Sequence, residues 1–445
     1  MSQPRYESKA VDPSPLGQPL HYAFANKTAL NRFLKGAMTE RISSWHPTDF
    51  PKRGVPSKEL INLYRRFGEG GIGNILTGNI MLDYDQLEAP GNMIIPRSAE
   101  FSGPRFEGFK ELATAAKKHG SLIIGQVSHP GRQVHDKIQK DPLSASDVQL
   151  EVVLLGQTFA KPHAATQDEI DMIVDAFAHS AEFLDKAGYD GIQLHGAHGY
   201  LLAQFLSNRT NHRTDKYGGS LTNRSRIIVE IARAIQSRVS PSFILGIKLN
   251  SVEFQDRGFQ PEEARELCKI LEENRFDFVE LSGGTYEDNL FVHKRESSKK
   301  REAFFMEFAD MIVPALKYTK SYVTGGFRSV GGMVDALTTV DGVGLARPLT
   351  AEPHLARDIL SGKVTGAIKH VFDDGDFLLT NALAGTQMSQ ISRDEQPLDA
   401  SDPEVAQAFV KDLGAFMQAM AADVGMEMSG FVGLSNVLVY PYVSE

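Results

Sequence analysis

Cysteine is nearly absent from this sequence: Cys268 stands alone among 445 residues. A single thiol excludes an intrachain disulfide, and it excludes an iron–sulfur cluster held by four cysteines of one chain. No run of about 18 consecutive apolar residues occurs, the length a bilayer-spanning helix requires. The start, MSQPRYESKAVDPSPLGQPL, lacks a basic segment followed by an apolar run, so no targeting segment is expected and a soluble, cytoplasmic protein is. Concentrated positive charge is also missing. The formal charge is −9, and the densest basic run, KRESSKKRE, reads as a solvated loop. Neither nucleic acid nor a membrane is expected as a partner.

What the chain does contain is core material, 42% apolar against 23% charged residues. Length alone suggests two or three ordinary domains, but one α/β barrel takes roughly 250 residues and grows by insertion. The order of elements decides between these. TQDEIDMIVDAFAHSAEFLDKAG opens with Thr166 and Glu169, the spacing of a capping box in which each side chain satisfies a backbone N–H at the helix start. Ile170, Ile173, Val174, Phe177, Ala181 and Leu184 then recur at helical spacing, and Gly188 supplies the stop. The strand YDGIQLH follows.

The unit repeats. RSRIIVEIARAIQSRV leads into FILGIKLN, and PEEARELCKILEEN, with Pro261 in the first turn where its missing N–H costs nothing, leads into FDFVELSG. Two further units end at YVTGG and DGVGLARP. Toward the start, SLIIGQV follows FEGFKELATAAKKHG, GIGNILTG follows SKELINLYRRFGEG, and RFLKGAM stands by itself. Eight short apolar strands alternating with helices predict parallel pairing. Closure into a (β/α)8 TIM barrel is expected over residues 20–364, with an N-terminal arm at 1–19 and a C-terminal helical extension at 365–445; an open doubly wound sheet is the alternative. The extension, with the helix-like DPEVAQAFVKDLGAFMQAM, is expected to provide packing or oligomer contacts. Residues 282–305 read as a long polar insert and a lid.

Barrel sites form where strands end. Thr39, Gly78, Gln126, His195, Lys248, Gly325 and Arg347 stand at those ends, polar, small or charged just where each apolar run stops. His195, His198 and Tyr200 fall within six positions. An isolated HxxH pair is more often structural than functional, and a metal reading fails for want of a nearby third ligand. Paired imidazoles can also donate to one substrate oxygen where negative charge develops, with Tyr200 as a proton donor to carbon.

The stretch HGAHGYLLAQFLSNRTNHRTDKYGGSLTNRSR resembles the signature of the Old Yellow Enzyme family of FMN-dependent ene-reductases. NRFLKGAMTE, GNILTGNI, GQVSHPGRQ, GIKLN, VTGGFRS and GLARPL follow in that family's order along residues 20–360. The two histidines resemble the bacterial-type and some fungal members. This resemblance implies bound FMN, NADH or NADPH as reductant, and an activated alkene as substrate. It implies that His195 and His198 hold the carbonyl oxygen while a flavin hydride reaches the β-carbon, and that Tyr200 protonates the α-carbon. Thr39 is then placed at flavin O4, Gln126 at the pyrimidine edge, and the peptides of Ala37, Met38 and Gly78 along the ring. Gly325, Gly326, Ala346 and Arg347 resemble the phosphate cradle. Lys248 departs from the family's usual arginine near N1 and O2, keeping the charge and losing the planar fork. Arg213, Asp215 and Gly218–Gly219 are expected to latch a loop. Three alternatives stand beside net reduction: isomerisation of an activated alkene, a Schiff-base aldolase using Lys248, and a non-catalytic flavin-binding protein. The natural substrate, the preferred nicotinamide and the oligomeric state are not determined by these residues.

Overall fold

The apolar runs become strands because each is bounded by turn residues and faces packed neighbours on both sides. The computed structural model describes residues 3–153, 157–250, 258–283, 306 and 308–443. Eight parallel strands follow in order: β1 (Phe33–Lys35), β2 (Asn74–Met81), β3 (Leu122–Ser128), β4 (Gly191–Gly196), β5 (Ile244–Asn250), β6 (Phe278–Ser282), β7 (Lys320–Thr324) and β8 (Gly342–Leu345). Each pairs with the next, and β8 returns to β1 with Val343 opposite Phe33. The sheet is therefore closed, as the alternation predicts, and the open-sheet alternative falls.

The crossovers are helical: α1 (Lys58–Glu69), α2 (Gly103–Lys117), α3 (Gln167–Lys186), α4 (Arg226–Gln236), α5 (Pro261–Glu273) and α6 (Val330–Ala336), with α7 (Leu355–Leu360) after β8. Residues 308–312 are helical between β6 and β7. The capping box forms as its spacing requires, Glu169 N–H donating to Thr166 Oγ1 at 3.3 Å and Thr166 N–H to Glu169 Oε2 at 2.7 Å. Gly188 ends α3 at φ 88°, a conformation that costs glycine nothing.

Two apolar layers result. The larger lies between strands and helices and includes Phe33, Tyr64, Phe109, Phe177 and Ile231. The smaller fills the barrel with Leu34, Leu76, Ile124, Ile244, Phe278 and Tyr322, packed on Leu20, Tyr22, Ala25 and Ala29. Those last four belong to an antiparallel hairpin of Leu20–Tyr22 and Lys27–Ala29 that plugs the N-terminal end. Ala25 N–H donates to Asp277 Oδ1 at 2.9 Å, pinning the plug to the start of β6. Burying each large side chain contributes roughly 1.5–3 kcal/mol, so this end is closed and only the other can admit a ligand.

Beyond the barrel, α8 (Phe377–Ser392) and α9 (Pro403–Ala422) gather around Leu383, Leu398, Phe409 and Val432. Asn62 Nδ2 on α1 donates to Ser392 O at 2.9 Å, and Arg66 reaches Asp394 at 2.7 Å. The segment after α9 crosses to the loop following β1, where Trp45 Nε1 donates to Met426 O at 2.7 Å and the Arg41 guanidinium lies 5.0 Å from the Phe431 ring centre. Most of the insert expected to form a lid, residues 284–305, lies outside the described residues. Among the described residues no helix is long and apolar enough to cross a membrane.

Candidate active site

Alternation along the strands selects what the barrel holds above its apolar plug. Two residues beyond Ile124 comes Gln126, two beyond Phe278 comes Glu280, and four beyond Ile244 comes Lys248. Gln126 pairs across the sheet with Gln193, His195 with Lys248, and Lys248 with Glu280. Gln126 Nε2 donates to Gln193 Oε1 at 2.7 Å, and Gln193 Nε2 donates to Glu280 Oε2 at 2.7 Å. The strand between Gln193 and Glu280 carries Gly246 at that level, so no side chain blocks the reach. The Lys248 ammonium stands 3.1 Å from Glu280 Oε1, and Glu280 is fully buried.

His195 is the penultimate residue of β4, and the chain then turns sharply through His198 at φ 59° and Gly199 at φ 77°. A left-handed non-glycine residue costs roughly 1–2 kcal/mol. Two hydrogen bonds offset that cost: His198 N–H donates to Asn250 Oδ1 at 3.1 Å, and Gln133 Nε2 donates to His198 O at 3.2 Å. The turn delivers Tyr200 to the start of the short helix Leu201–Leu206. The ring centres of His195 and His198 are 5.2 Å apart, and those of His195 and Tyr200 are 4.5 Å apart at 70°. The structure thus brings the three expected catalytic residues together.

Burial, followed by the Lys248 charge, holds both imidazoles well below the ordinary histidine pKa. Both are neutral at pH 7, and each then has one N–H. The Ala197 amide approaches His195 Nδ1 at 3.4 Å and can only donate, which puts the ring proton on Nε2. Ser282 Oγ lies 2.9 Å from His198 Nε2, where its hydroxyl can donate and leave the proton on Nδ1. Asn250, Ser282, Gln193 and Glu280 escaped the reading of the sequence. Their signal was a polar residue at inward register inside an apolar strand, as in FVELS.

Of the other expected positions, Thr39 lies four residues past the end of β1, and Gly78 lies inside β2, which runs on to Met81 rather than stopping where the sequence places its end. Thr39 Oγ1 donates to Glu88 Oε2 at 2.6 Å, so toward any further group this hydroxyl acts as an acceptor. Glu88 accepts from Asn79 Nδ2 at 2.6 Å as well. Gly78 gives its N–H to Glu40 Oε1 at 2.9 Å, and a Cβ there would sit 2.4 Å from Met38 O. Its glycine identity is thus explained by close approach of β2 to the chain after β1. Ala37 and Met38 are partly buried beside it. Gly325 and Gly326 take φ of 132° and 88°, which leaves the backbone after β7 bare of side chains. Ala346 follows β8, and Arg347 turns toward the extension, donating to Thr380 Oγ1 with its guanidinium 6.0 Å from the Phe377 ring. Arg347 and Arg328 line a cavity of about 50 Å³ with Thr350, Thr380 and Gln387. His195, His198 and Tyr200 do not line it. Arg213 performs the expected latch, bonding Asp215 at 2.6 Å and the carbonyls of Ala145 and Ala165.

This donor set fits a flavin. Lys248 is a buried cation whose ammonium makes no hydrogen bond to a described residue, and Glu280 Oε1 beside it is buried outside hydrogen-bond alignment. Gln126 offers an amide edge on the same layer. The fold and site define a barrel flavoenzyme. The sequence matches the model of the NADH:flavin oxidoreductase / NADH oxidase family over residues 16–365, and the chain belongs to that family. It is 55% identical over 420 residues to the NADH-dependent flavin oxidoreductase nadA of Aspergillus parasiticus, covering 93% of this chain and 94% of that protein. Against the NADH-dependent flavin oxidoreductase iccE of Talaromyces variabilis it is 34% identical, with 75% and 83% covered. Among solved structures, morphinone reductase in complex with tetrahydroNAD superposes with a TM-score of 0.62 at 22% identity, over 79% of this chain and 92% of that one, a likeness of fold. The protein is an FMN-dependent oxidoreductase of the Old Yellow Enzyme type with a nicotinamide reductant, and family membership displaces the aldolase and non-catalytic alternatives.

Proposed function

We propose that the protein reduces the C=C bond of an α,β-unsaturated carbonyl compound. The observation that supports this reading is the convergence of three proton-bearing groups, His195, His198 and Tyr200, at the open end of the barrel. FMN, when bound, supplies the hydride. Gln126, Lys248, Gly325, Gly326, Ala346 and Arg347 are the side chains and glycines proposed to hold it, with the backbone of Ala37, Met38, Thr39 and Gly78. The neutral imidazoles donate to the substrate's carbonyl oxygen and stabilise negative charge as it develops there. Each such donor contributes about 10²–10³ in rate. Tyr200, 3% exposed, delivers the proton to carbon, and its burial keeps water from competing.

An anaerobic mixing experiment tests this. The purified protein is reduced with NADH or NADPH, 2-cyclohexenone is added, and the flavin's visible absorption is followed. Bleaching by the nicotinamide and return of the band with the enone is the expected result. A flavin that bleaches and is never reoxidised by enones would replace net reduction with isomerisation or another acceptor. A preparation that takes up no FMN would sink the reading.

A further inference from the structure

Resting on the flavin reading above, we infer that Glu280 is a positioning residue: it fixes the direction of a buried hydrogen-bond chain so that Gln126 presents its carbonyl oxygen to the flavin, and it neutralises Lys248 beneath the cofactor. An ionised carboxylate only accepts hydrogen bonds. Gln193 must therefore turn its NH2 toward Glu280, at 2.7 Å. Its Oε1 then faces Gln126 and can only accept, so Gln126 must turn its NH2 toward Gln193, again at 2.7 Å. Both amides are oriented by the carboxylate at the end of the row. The Gln126 oxygen is left for an N–H donor, and the flavin pyrimidine has one such donor in its edge.

The two halves of Glu280 do different work. Oε2 orders the amides, while Oε1 stands 3.1 Å from the Lys248 ammonium. Gln126, Gln193, Lys248 and Glu280 are each at most 4% exposed, so water does not compete for these contacts. Gly246 is part of the device. A side chain there would lie between β4 and β6 at the level where Gln193 crosses, and its Cβ would come within 2.1 Å of Phe278. Coulomb attraction is weakly screened in such a place, so the charge state at Glu280 is felt by whatever lies above Lys248.

Two variants separate the roles. Glu280→Gln keeps the shape but can donate as well as accept, so the row can reverse, and Lys248 loses its counter-charge. Gln193→Leu breaks the row and leaves the Lys248–Glu280 pair. Apoprotein of each is titrated with FMN, and the reduction potential of the bound flavin is measured by dye equilibration. Glu280→Gln is expected to bind FMN roughly ten-fold more weakly, the effect of one misdirected buried hydrogen bond, and to shift the potential to a more positive value. Gln193→Leu is expected to weaken FMN similarly with the potential unchanged. Wild-type FMN affinity in Gln193→Leu would overturn the orienting role, even if Glu280→Gln fails to fold. An unshifted potential in folded Glu280→Gln would overturn the neutralising role. Wild-type protein that takes up no FMN would instead remove the flavin reading itself.

Discussion

Tyr200 and the two histidines differ in what their neighbours do to them. Both imidazoles are held neutral by burial and the Lys248 charge, so they serve as hydrogen-bond donors over the whole neutral range. Binding of a phenol, whose oxyanion mimics the charged substrate oxygen, is therefore expected to follow the phenol's own ionisation between pH 6 and 9. Absorption titrations at several pH values check this, and an inflection near the ordinary histidine value of about 6.5 would contradict it. His195→Ala should weaken that binding. Tyr200→Phe should slow reoxidation by an enone by about 10²–10⁴ and leave flavin reduction by the nicotinamide nearly normal. Equal loss in both half-reactions would remove Tyr200 as the acid.

The element that matters most is the turn between β4 and the helix Leu201–Leu206. It is held in place by Asn250 from β5 and Gln133 from the loop after β3, so its geometry depends on three neighbouring strands. Gly199 sits at φ 77°, and a Cβ there would come within 2.5 Å of Gln133 Oε1. Gly199→Ala should destabilise the protein by about 1–3 kcal/mol and lower the enone half-reaction more than FMN retention. Chemical denaturation and flavin content together check this. A variant with wild-type stability would mean that the turn adapts without strain.

At the scale of the whole molecule, burial of histidines makes stability depend on pH. Burial pushes His129 down to about 3 and holds His195 and His198 well below their ordinary value. The unfolded chain takes up these protons near pH 6.5, and the folded chain does so only at lower pH. The unfolded state thus binds more protons in between, so stability is full above about pH 6.5 and is lost as pH falls toward the folded values. Thermal midpoints measured from pH 7.5 to 5 should decline, and His129→Asn, which can keep an acceptor for Gly131 N–H, should flatten the decline. Identical slopes would remove His129 from the account. The extension acts at this scale too, because Met426 and Phe431 brace the loop that carries Arg41 and Trp45 just beyond the expected flavin contacts.

Repetition and end chemistry were legible in the chain alone. Alternating apolar runs and capping signals determined eight strands and their helices, since local spacing alone decides which face of each segment is apolar. The cluster HGAHGY announced itself for the same local reason: its two imidazoles and phenol fall within six positions. The row from Gln126 to Glu280 was not legible. Its members are separated by 67 and 87 positions and meet only when the sheet closes with Gly246 between them. Nor did the sequence tell that Arg347 would turn to Thr380, or that Thr39 would spend its proton on Glu88. Local pattern determined the barrel and grouped the proposed catalytic trio; closure decided the amide directions and the Lys248–Glu280 pairing, because those depend on which distant groups share a buried layer.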